Sequence, residues 1–153
     1  MKFFIITIIG FTLILNACSS TSESINVNII GTEWILAEIK TETQKIVLNR
    51  KSPEMKRFET AFTLHFDAER LSGVGAPNRY FGPYKLGKNQ TIKVQPLGST
   101  LMASLVEFEK LKEHEYFNYL QNAYKWNIVN GRLELHTRSG NAETVLIYNL
   151  NSK

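Results

Sequence analysis

Short apolar stretches divided by Gly, Pro, Asn and Asp are the feature that most limits what this chain can fold into. In the clearest of them, Phe62, Leu64 and Phe66 alternate with Thr63 and His65, the two-residue period of a half-buried strand. Similar stretches lie on both sides of it and are separated by turn residues. They predict strands over residues 34–39, 46–48, 71–74, 80–86, 91–94, 124–129, 132–136 and 144–150.

Two local patterns complete the predicted elements. Asn130 and Gly131 join two strands as a type I′ hairpin, because both residues tolerate positive φ. Ser99 or Thr100 could cap a helix whose apolar residues recur every three or four positions, and the pattern resumes in residues 116–120. One broken helix and two short helices fit equally well. The predicted class is α+β and predominantly β, a small antiparallel sheet or partial barrel covered by one or two short helices.

The amino terminus has the pattern of a secretory signal. Lys2 precedes an apolar run over residues 3–15, and small and polar residues follow it. A run of about 13 residues is shorter than the roughly 20 that a membrane-spanning helix needs. We therefore expect residues 1–17 to be a cleaved signal peptide.

The end of this run resembles a lipobox, the Leu-x-Ala-Cys pattern of bacterial lipoproteins. It places Cys18, the only cysteine of the chain, where the sulfur takes a diacylglycerol and becomes the new amino terminus. Residues 18–30 are rich in Ser and Thr and predict a flexible tether with a reach of about 20 Å. We expect a lipid anchor in the cell envelope. Ser19 resembles the signal for outer-membrane transfer in a Gram-negative host.

Length and charge narrow the functional classes. A chain of 153 residues predicts one domain, here residues 31–150. The formal charge is +4, and basic and acidic residues are interleaved instead of clustered on one face. We therefore expect no nucleic-acid partner; the oligomeric state stays open.

From Gly31 onward the chain resembles the META domain family (DUF306), which includes the HslJ-type heat-shock lipoproteins. The resemblance lies in residues 31–36, 73–84, 99–104, 113–120, 124, 126 and 131–135. Pro77 and Ser104 stand where the family motifs have cysteines, so a disulfide or paired-thiol role is absent. The resemblance implies a small β-rich domain without an assigned reaction, linked to heat shock and novobiocin resistance in enteric bacteria, and to secretion or motility in trypanosomatids.

The loop over residues 73–82 is the candidate contact surface. Its glycines, Pro77 and Asn78 can set a sharp turn that presents Arg79 and Tyr80 to a ligand or protein partner. The alternative is that Gly and Asn serve positive φ while the aromatic residues fill the core. Asn78, Arg79 and Tyr80 are the predicted surface.

Catalytic and metal patterns are weak. His65, His114 and His136 are too far apart in sequence for a typical metal site. Glu113 and Glu115 flank His114 and fit a charged helix face. We expect no catalytic residue, metal or cofactor, and a non-catalytic binding or stress-related role in the envelope. The alternatives are an inhibitor of an attacking enzyme such as lysozyme and an envelope-modifying hydrolase.

Overall fold

Ten strands and one helix form the described part of the chain. The structure, a computed structural model, describes residues 28–51, 56, 58–103 and 111–152. The helix is α1 (Glu113–Gln121). The strands are β1 (Glu33–Thr41), β2 (Lys45–Val47), β3 (Thr63–Phe66), β4 (Arg70–Val74), β5 (Arg79–Leu86), β6 (Ile92–Val94), β7 (Gly98–Ser99), β8 (Ala123–Val129), β9 (Arg132–Ser139) and β10 (Ala142–Leu150).

The strands form one antiparallel sheet that nearly closes on itself. Its order is β6-β5-β4-β3-β1-β10-β9-β8, with β2 added to β1 and β7 added to β5. Two meanders, β3 to β6 and β8 to β10, are thus joined through β1. An isolated bridge between Thr91 and Lys125 brings the β6 and β8 sides together. The prediction of a predominantly β fold with a curled antiparallel sheet is confirmed.

The predicted strands are present, and one irregularity explains a break in their apolar pattern. In β1 the buried side chains are Trp34, Leu36 and Ile39, so the spacing changes from two to three. The pairing of β1 with β10 shifts register between Leu36 and Glu38. The extra residue of such a bulge reverses the phase of the strand and keeps Ile39 in the core.

The helical segment differs from the prediction in its first half. Gly98 and Ser99 form β7, which pairs with β5, and residues 101–103 have no regular structure. Ser99 therefore does not cap a helix, because its backbone is extended in the sheet. The rest of the predicted first helix, residues 104–108, lies outside the described residues. The second half is confirmed as α1, whose buried side chains Glu113, Tyr116 and Leu120 share one face.

The folded part begins earlier than residue 31. Ile29 is completely buried and belongs to the core, although the tether was predicted to run through residue 30. Its burial removes apolar surface from water, which fixes this segment to the domain. Residues 1–27, which include the predicted signal peptide and Cys18, lie outside the described residues. In the part of the chain described, no helix is long and apolar enough to cross a membrane.

A cluster of buried phenols occupies the middle of the core. The Tyr80 hydroxyl donates to the Thr63 carbonyl oxygen at 2.6 Å, and the Tyr116 hydroxyl reaches the same oxygen at 3.2 Å. The Tyr148 hydroxyl donates to the Tyr116 oxygen at 3.4 Å. Burial raises the pKa of Tyr116 to about 12 and holds the pKa values of Tyr80 and Tyr148 well above 10. The helix is thereby linked to β3, β5 and β10.

The basic loop after β2 contributes a guanidinium to the interior. Arg50 donates to the carbonyl oxygens of Leu36 and Ala61 at 2.9 and 2.8 Å, and to that of Phe58 at 2.9 Å. Burial lowers the pKa of Arg50 to about 10. The loop that the sequence predicts here is therefore fastened to β1 and to the segment before β3.

The phenol cluster should make the fold sensitive to alkali. A tyrosine whose pKa is raised by folding stabilises the protein fully below the unfolded value of about 10. That stability falls as the pH rises above 10 toward the folded pKa. We expect absorbance at 295 nm and circular dichroism to show the three phenols of the cluster, together with the buried Tyr84, ionising as the protein unfolds.

Two substitutions test this assignment. Tyr148→Phe should remove one phenol from the cooperative step, because Tyr148 ionises only when the core opens. Tyr124→Phe removes a phenol on the outer face and should leave the number of phenols in that step unchanged. An alkaline titration in which all six tyrosines ionise before the circular dichroism changes would show the cluster to be accessible.

Candidate functional site

A buried carboxylate organises the loop between β4 and β5. Glu113, the first residue of α1, accepts the backbone N–H groups of Ala76 and Asn78 on Oε1 at 2.5 and 2.6 Å. Its Oε2 accepts the Asn78 side-chain amide at 2.6 Å. Hydrogen bonds to an ionised group are stronger than those between neutral groups. The charged-face interpretation of Glu113 is therefore wrong, because the carboxylate points inward and binds the loop.

The close approach of the carboxylate explains a glycine of the loop. A Cβ on Gly75 would lie 2.5 Å from Glu113 Oε1 and 2.9 Å from the Phe117 ring. Any side chain at this position would displace the Glu113 carboxylate or the Phe117 ring. Gly75 thus allows the close approach of Glu113.

Asn78 uses its whole side chain inside the protein. Its Oδ1 accepts the Met102 N–H at 2.7 Å and the Thr100 hydroxyl at 2.8 Å. Its Nδ2 donates to the Met102 carbonyl oxygen at 3.0 Å as well as to Glu113. The two donors and the acceptor of the amide are all engaged, so Asn78 has no group left for a ligand.

The three residues predicted as a contact surface therefore do not share one surface. Asn78 is 5% exposed and Tyr80 is 1% exposed, because one holds the loop and the other belongs to the phenol cluster. Only Arg79 is exposed. The predicted surface of Asn78, Arg79 and Tyr80 is wrong for Asn78 and Tyr80, since alternate residues of β5 point to opposite faces.

A different set of exposed side chains surrounds Arg79. Phe81 follows it on the outer face of β5 and is 53% exposed, with the Arg70 guanidinium 5.7 Å from its ring centre. The Thr100 N–H donates to the Arg79 carbonyl oxygen, and the next two residues, Leu101 and Met102, are 97% and 61% exposed. We call Arg79, Phe81, Leu101 and Met102 the exposed patch. Asn78 fixes its backbone through Met102.

A second polar cluster lies on the outer face of β8, β9 and β10. Glu143 Oε1 accepts the Tyr124 hydroxyl at 2.6 Å and lies 3.1 Å from His136 Nδ1. The hydrogen bond from Tyr124, followed by that from His136, lowers the pKa of Glu143, and the same Glu143 contact raises the pKa of Tyr124. His136 Nε2 faces Asn127 at 3.4 Å. No Ser, Thr or Cys side chain of the described residues completes this pair as a nucleophile.

The remaining histidines are separate from this cluster. His65 lies 3.2 Å from Asp67 on the outer face of β3, and His114 is exposed on α1. Glu115 accepts the Lys112 N–H at 3.0 Å and so caps the helix. Within the described ranges, no three residues of the types His, Cys, Asp and Glu converge on one point.

The sequence of this chain matches a known protein family over nearly all of the strands and the helix just described. The family model for the META domain matches residues 27–147. The chain belongs to the META domain family. The predicted resemblance is confirmed. The matched range includes Glu113 and the loop residues Ala76 and Asn78 that it binds, an arrangement we call the Glu113 clamp. It also includes both meanders of the barrel, up to residue 147 in β10.

Two solved structures are similar to this META domain. One is the NMR structure of a protein from Burkholderia xenovorans, with a TM-score of 0.64 and 20% identity over 82% of this chain and 85% of that one. The other is the crystal structure of a DUF4847 family protein from Bacteroides vulgatus, with a TM-score of 0.53 and 15% identity over 82% and 96%. Both likenesses show the fold alone. Among curated proteins, none matches this META domain in sequence.

The role of Glu113 could not be read from its neighbours in sequence. Glu113 is followed by His114 and Glu115, and the three residues together suggest a charged helix face. Its partners Ala76 and Asn78 lie 37 and 35 residues earlier in the chain. The one available signal was the position of Glu113 in the first turn of a helix, which is also where an ordinary capping carboxylate occurs. Only the packing of α1 against the loop distinguishes the two.

Replacement of the clamp carboxylate tests its structural role. Glu113→Gln should destabilise the domain by about 2 to 4 kcal/mol, because the amide brings a donor toward the Asn78 amide and weakens charge-assisted bonds. Glu115→Gln changes a carboxylate on the same helix and should cost less than about 1 kcal/mol. Urea unfolding of both variants gives the comparison. Equal stabilities would contradict the clamp.

Proposed function

We propose that this chain is a lipoprotein of the bacterial cell envelope, acylated on Cys18, whose META domain is a non-catalytic binding module. The observation that carries the anchor is the apolar run of residues 3–15 followed by Leu15-Asn16-Ala17-Cys18. One acyl chain holds a protein to a membrane only marginally, whereas two or three hold it firmly. A modified Cys18 would provide the anchor without a transmembrane helix.

The fold is compatible with a Cys18 that is committed to a lipid. Cys18 is the only cysteine of the chain, so no disulfide is available to stabilise the domain in an oxidising compartment. The stabilising contacts are instead a continuous apolar core, the phenol cluster and the carbonyl contacts of Arg50. Ile29 is completely buried in the core, and Cys18 precedes it by eleven positions in the sequence.

The binding role is supported by how the polar groups of the domain are used. The Glu113 carboxylate accepts three hydrogen bonds from the loop and so serves to hold it. The buried phenols are hydrogen-bonded to one another and to the Thr63 carbonyl oxygen inside the core. The exposed patch, by contrast, combines an Arg with aromatic and aliphatic side chains, a composition enriched at protein interfaces. We assign the exposed patch to an envelope protein partner.

Lipid labelling tests the anchor. Cells that express the full chain and are fed an alkyne analogue of palmitate should yield a labelled protein in the membrane fraction. Cys18→Ser should lose the label and the membrane fractionation, because the hydroxyl does not form the thioether. Ser19→Ala keeps the thiol and should retain the label. Equal labelling of both variants, or none in the parent chain, would show that Cys18 is not the anchor.

In-cell photocrosslinking tests the exposed patch. A photoreactive amino acid in place of Leu101 should form one discrete adduct, since this side chain projects from the patch into solvent. The same amino acid in place of Val47, which is 53% exposed on β2, is the matched control. Adducts of the same size at both positions would indicate random contacts.

A purified domain that turns over an envelope substrate, and loses this activity on one substitution, would contradict the non-catalytic role.

A further inference from the structure

The hairpin of β5 and β6 carries positive charge that its surroundings leave uncompensated. Lys85 and Lys93 lie directly opposite each other in register and are both exposed. Like charges in this position destabilise a strand pair. The other opposed pair, Lys40 and Lys45, differs, because Lys45 lies 2.8 Å from the Glu38 carboxylate.

Two more lysines extend this charge across the closure of the barrel. Lys88 is exposed in the turn after β5, and Lys125 of β8 is bridged to Thr91, two residues before Lys93. We call Lys85, Lys88, Lys93 and Lys125 the lysine patch. None of its members forms an ion pair with another described residue.

Acidic residues border the lysine patch but do not cancel it. Glu69 lines the same groove as Lys85, and Asp67 lies 3.2 Å from His65 instead of a lysine. Beside Lys125, Glu134 lies on the same outer face of β8 and β9, 3.9 Å from His136. The four lysines are therefore bordered by three carboxylates, and none of the three forms an ion pair with a lysine of the patch. A surface with this excess attracts a negatively charged partner.

Exposed apolar side chains accompany the charge where the tether joins the domain. Ile30 and Leu86 are 40% and 37% exposed and line one groove with Tyr84 and Lys85. Ile30 stands two residues after Asn28, the first described residue. The segment that leads back to Cys18 therefore enters the domain beside the lysine patch.

We propose that the lysine patch contacts anionic phospholipid headgroups of the membrane to which the chain is tethered, with Ile30 and Leu86 at the bilayer interface. The proposal rests on the proposed lipid anchor for its location, while its charge chemistry is independent of acylation. Basic side chains and a lipid chain together give firmer membrane association than a lipid chain alone.

This contact fixes which end of the barrel faces outward. β5 runs from Arg79 to Leu86, a length of about 24 Å at 3.4 Å per residue. With Leu86 at the membrane, the exposed patch around Arg79 lies at the far end of the same strand. The domain then presents that patch to the envelope space.

Vesicle binding of the mature chain with Cys18→Ala tests the lysine patch without the lipid anchor. We expect sedimentation with vesicles of phosphatidylcholine mixed with phosphatidylglycerol, and none with phosphatidylcholine alone. Each lysine near an anionic surface contributes about fivefold in affinity. The triple change Lys85→Gln, Lys88→Gln and Lys93→Gln should therefore weaken binding about 100-fold, if circular dichroism shows it folded.

A matched variant separates the lysine patch from total charge. Lys40→Gln, Lys51→Gln and Lys56→Gln remove three exposed cations outside the lysine patch and should change binding less than about fivefold. Binding should also weaken as salt shortens the Debye length from about 30 Å at 0.01 M to about 8 Å at 0.15 M. Equal losses in both triple variants, or equal binding to neutral vesicles, would overturn the proposal.

Two further results decide between related interpretations. Binding of heparin through the same lysines without binding to the anionic vesicles would assign the lysine patch to a soluble polyanion and overturn the membrane contact. Absence of palmitate labelling in the parent chain, with vesicle binding intact, would overturn the anchor and leave the membrane contact standing. The reverse result would leave the anchor and remove the proposed orientation.

Discussion

The hydrogen bonds that the Glu113 carboxylate accepts are the interaction on which the loop between β4 and β5 depends. This carboxylate, at the start of the helix, accepts two backbone N–H groups of the loop at 2.5 and 2.6 Å. A buried carboxylate is unfavourable unless hydrogen bonds replace its hydration. Here the loop supplies those hydrogen bonds, and in return the helix fixes the loop, so neither arrangement is stable without the other.

From this clamp, an ordered chain of contacts leads to the protein surface. Asn78, which Glu113 binds, forms hydrogen bonds with the backbone of Met102. Because alternate side chains of β5 point to opposite faces, Tyr80 points inward and Arg79 outward. Asn78, which the sequence predicted to be part of a contact surface, thus holds the backbone beside the exposed patch. Partner contact is proposed for side chains that the buried network positions, not for the network itself.

The two ends of β5 have different chemistry, and this suggests a division of roles. At Leu86 the hairpin has lysines that form no ion pair within the described part of the chain, and the exposed apolar side chains of Ile30 and Leu86 lie beside them. At Arg79 the surface combines one guanidinium with exposed apolar groups. A rigid barrel between them keeps these surfaces about 24 Å apart, so an anchored domain can face the membrane with one end and a partner with the other.

The sequence by itself determined the strands other than β7, the hairpin at Asn130 and Gly131, the second half of the helix and the family, because periodicity and turn chemistry are local properties. The tertiary structure alone decided the fate of individual polar residues. Glu113, Arg50 and Asn78 are buried through partners distant in sequence, and no local pattern distinguishes a buried carboxylate from a solvated one. Likewise, Lys125 joins the lysine patch only because closure of the barrel brings it beside the β5–β6 hairpin.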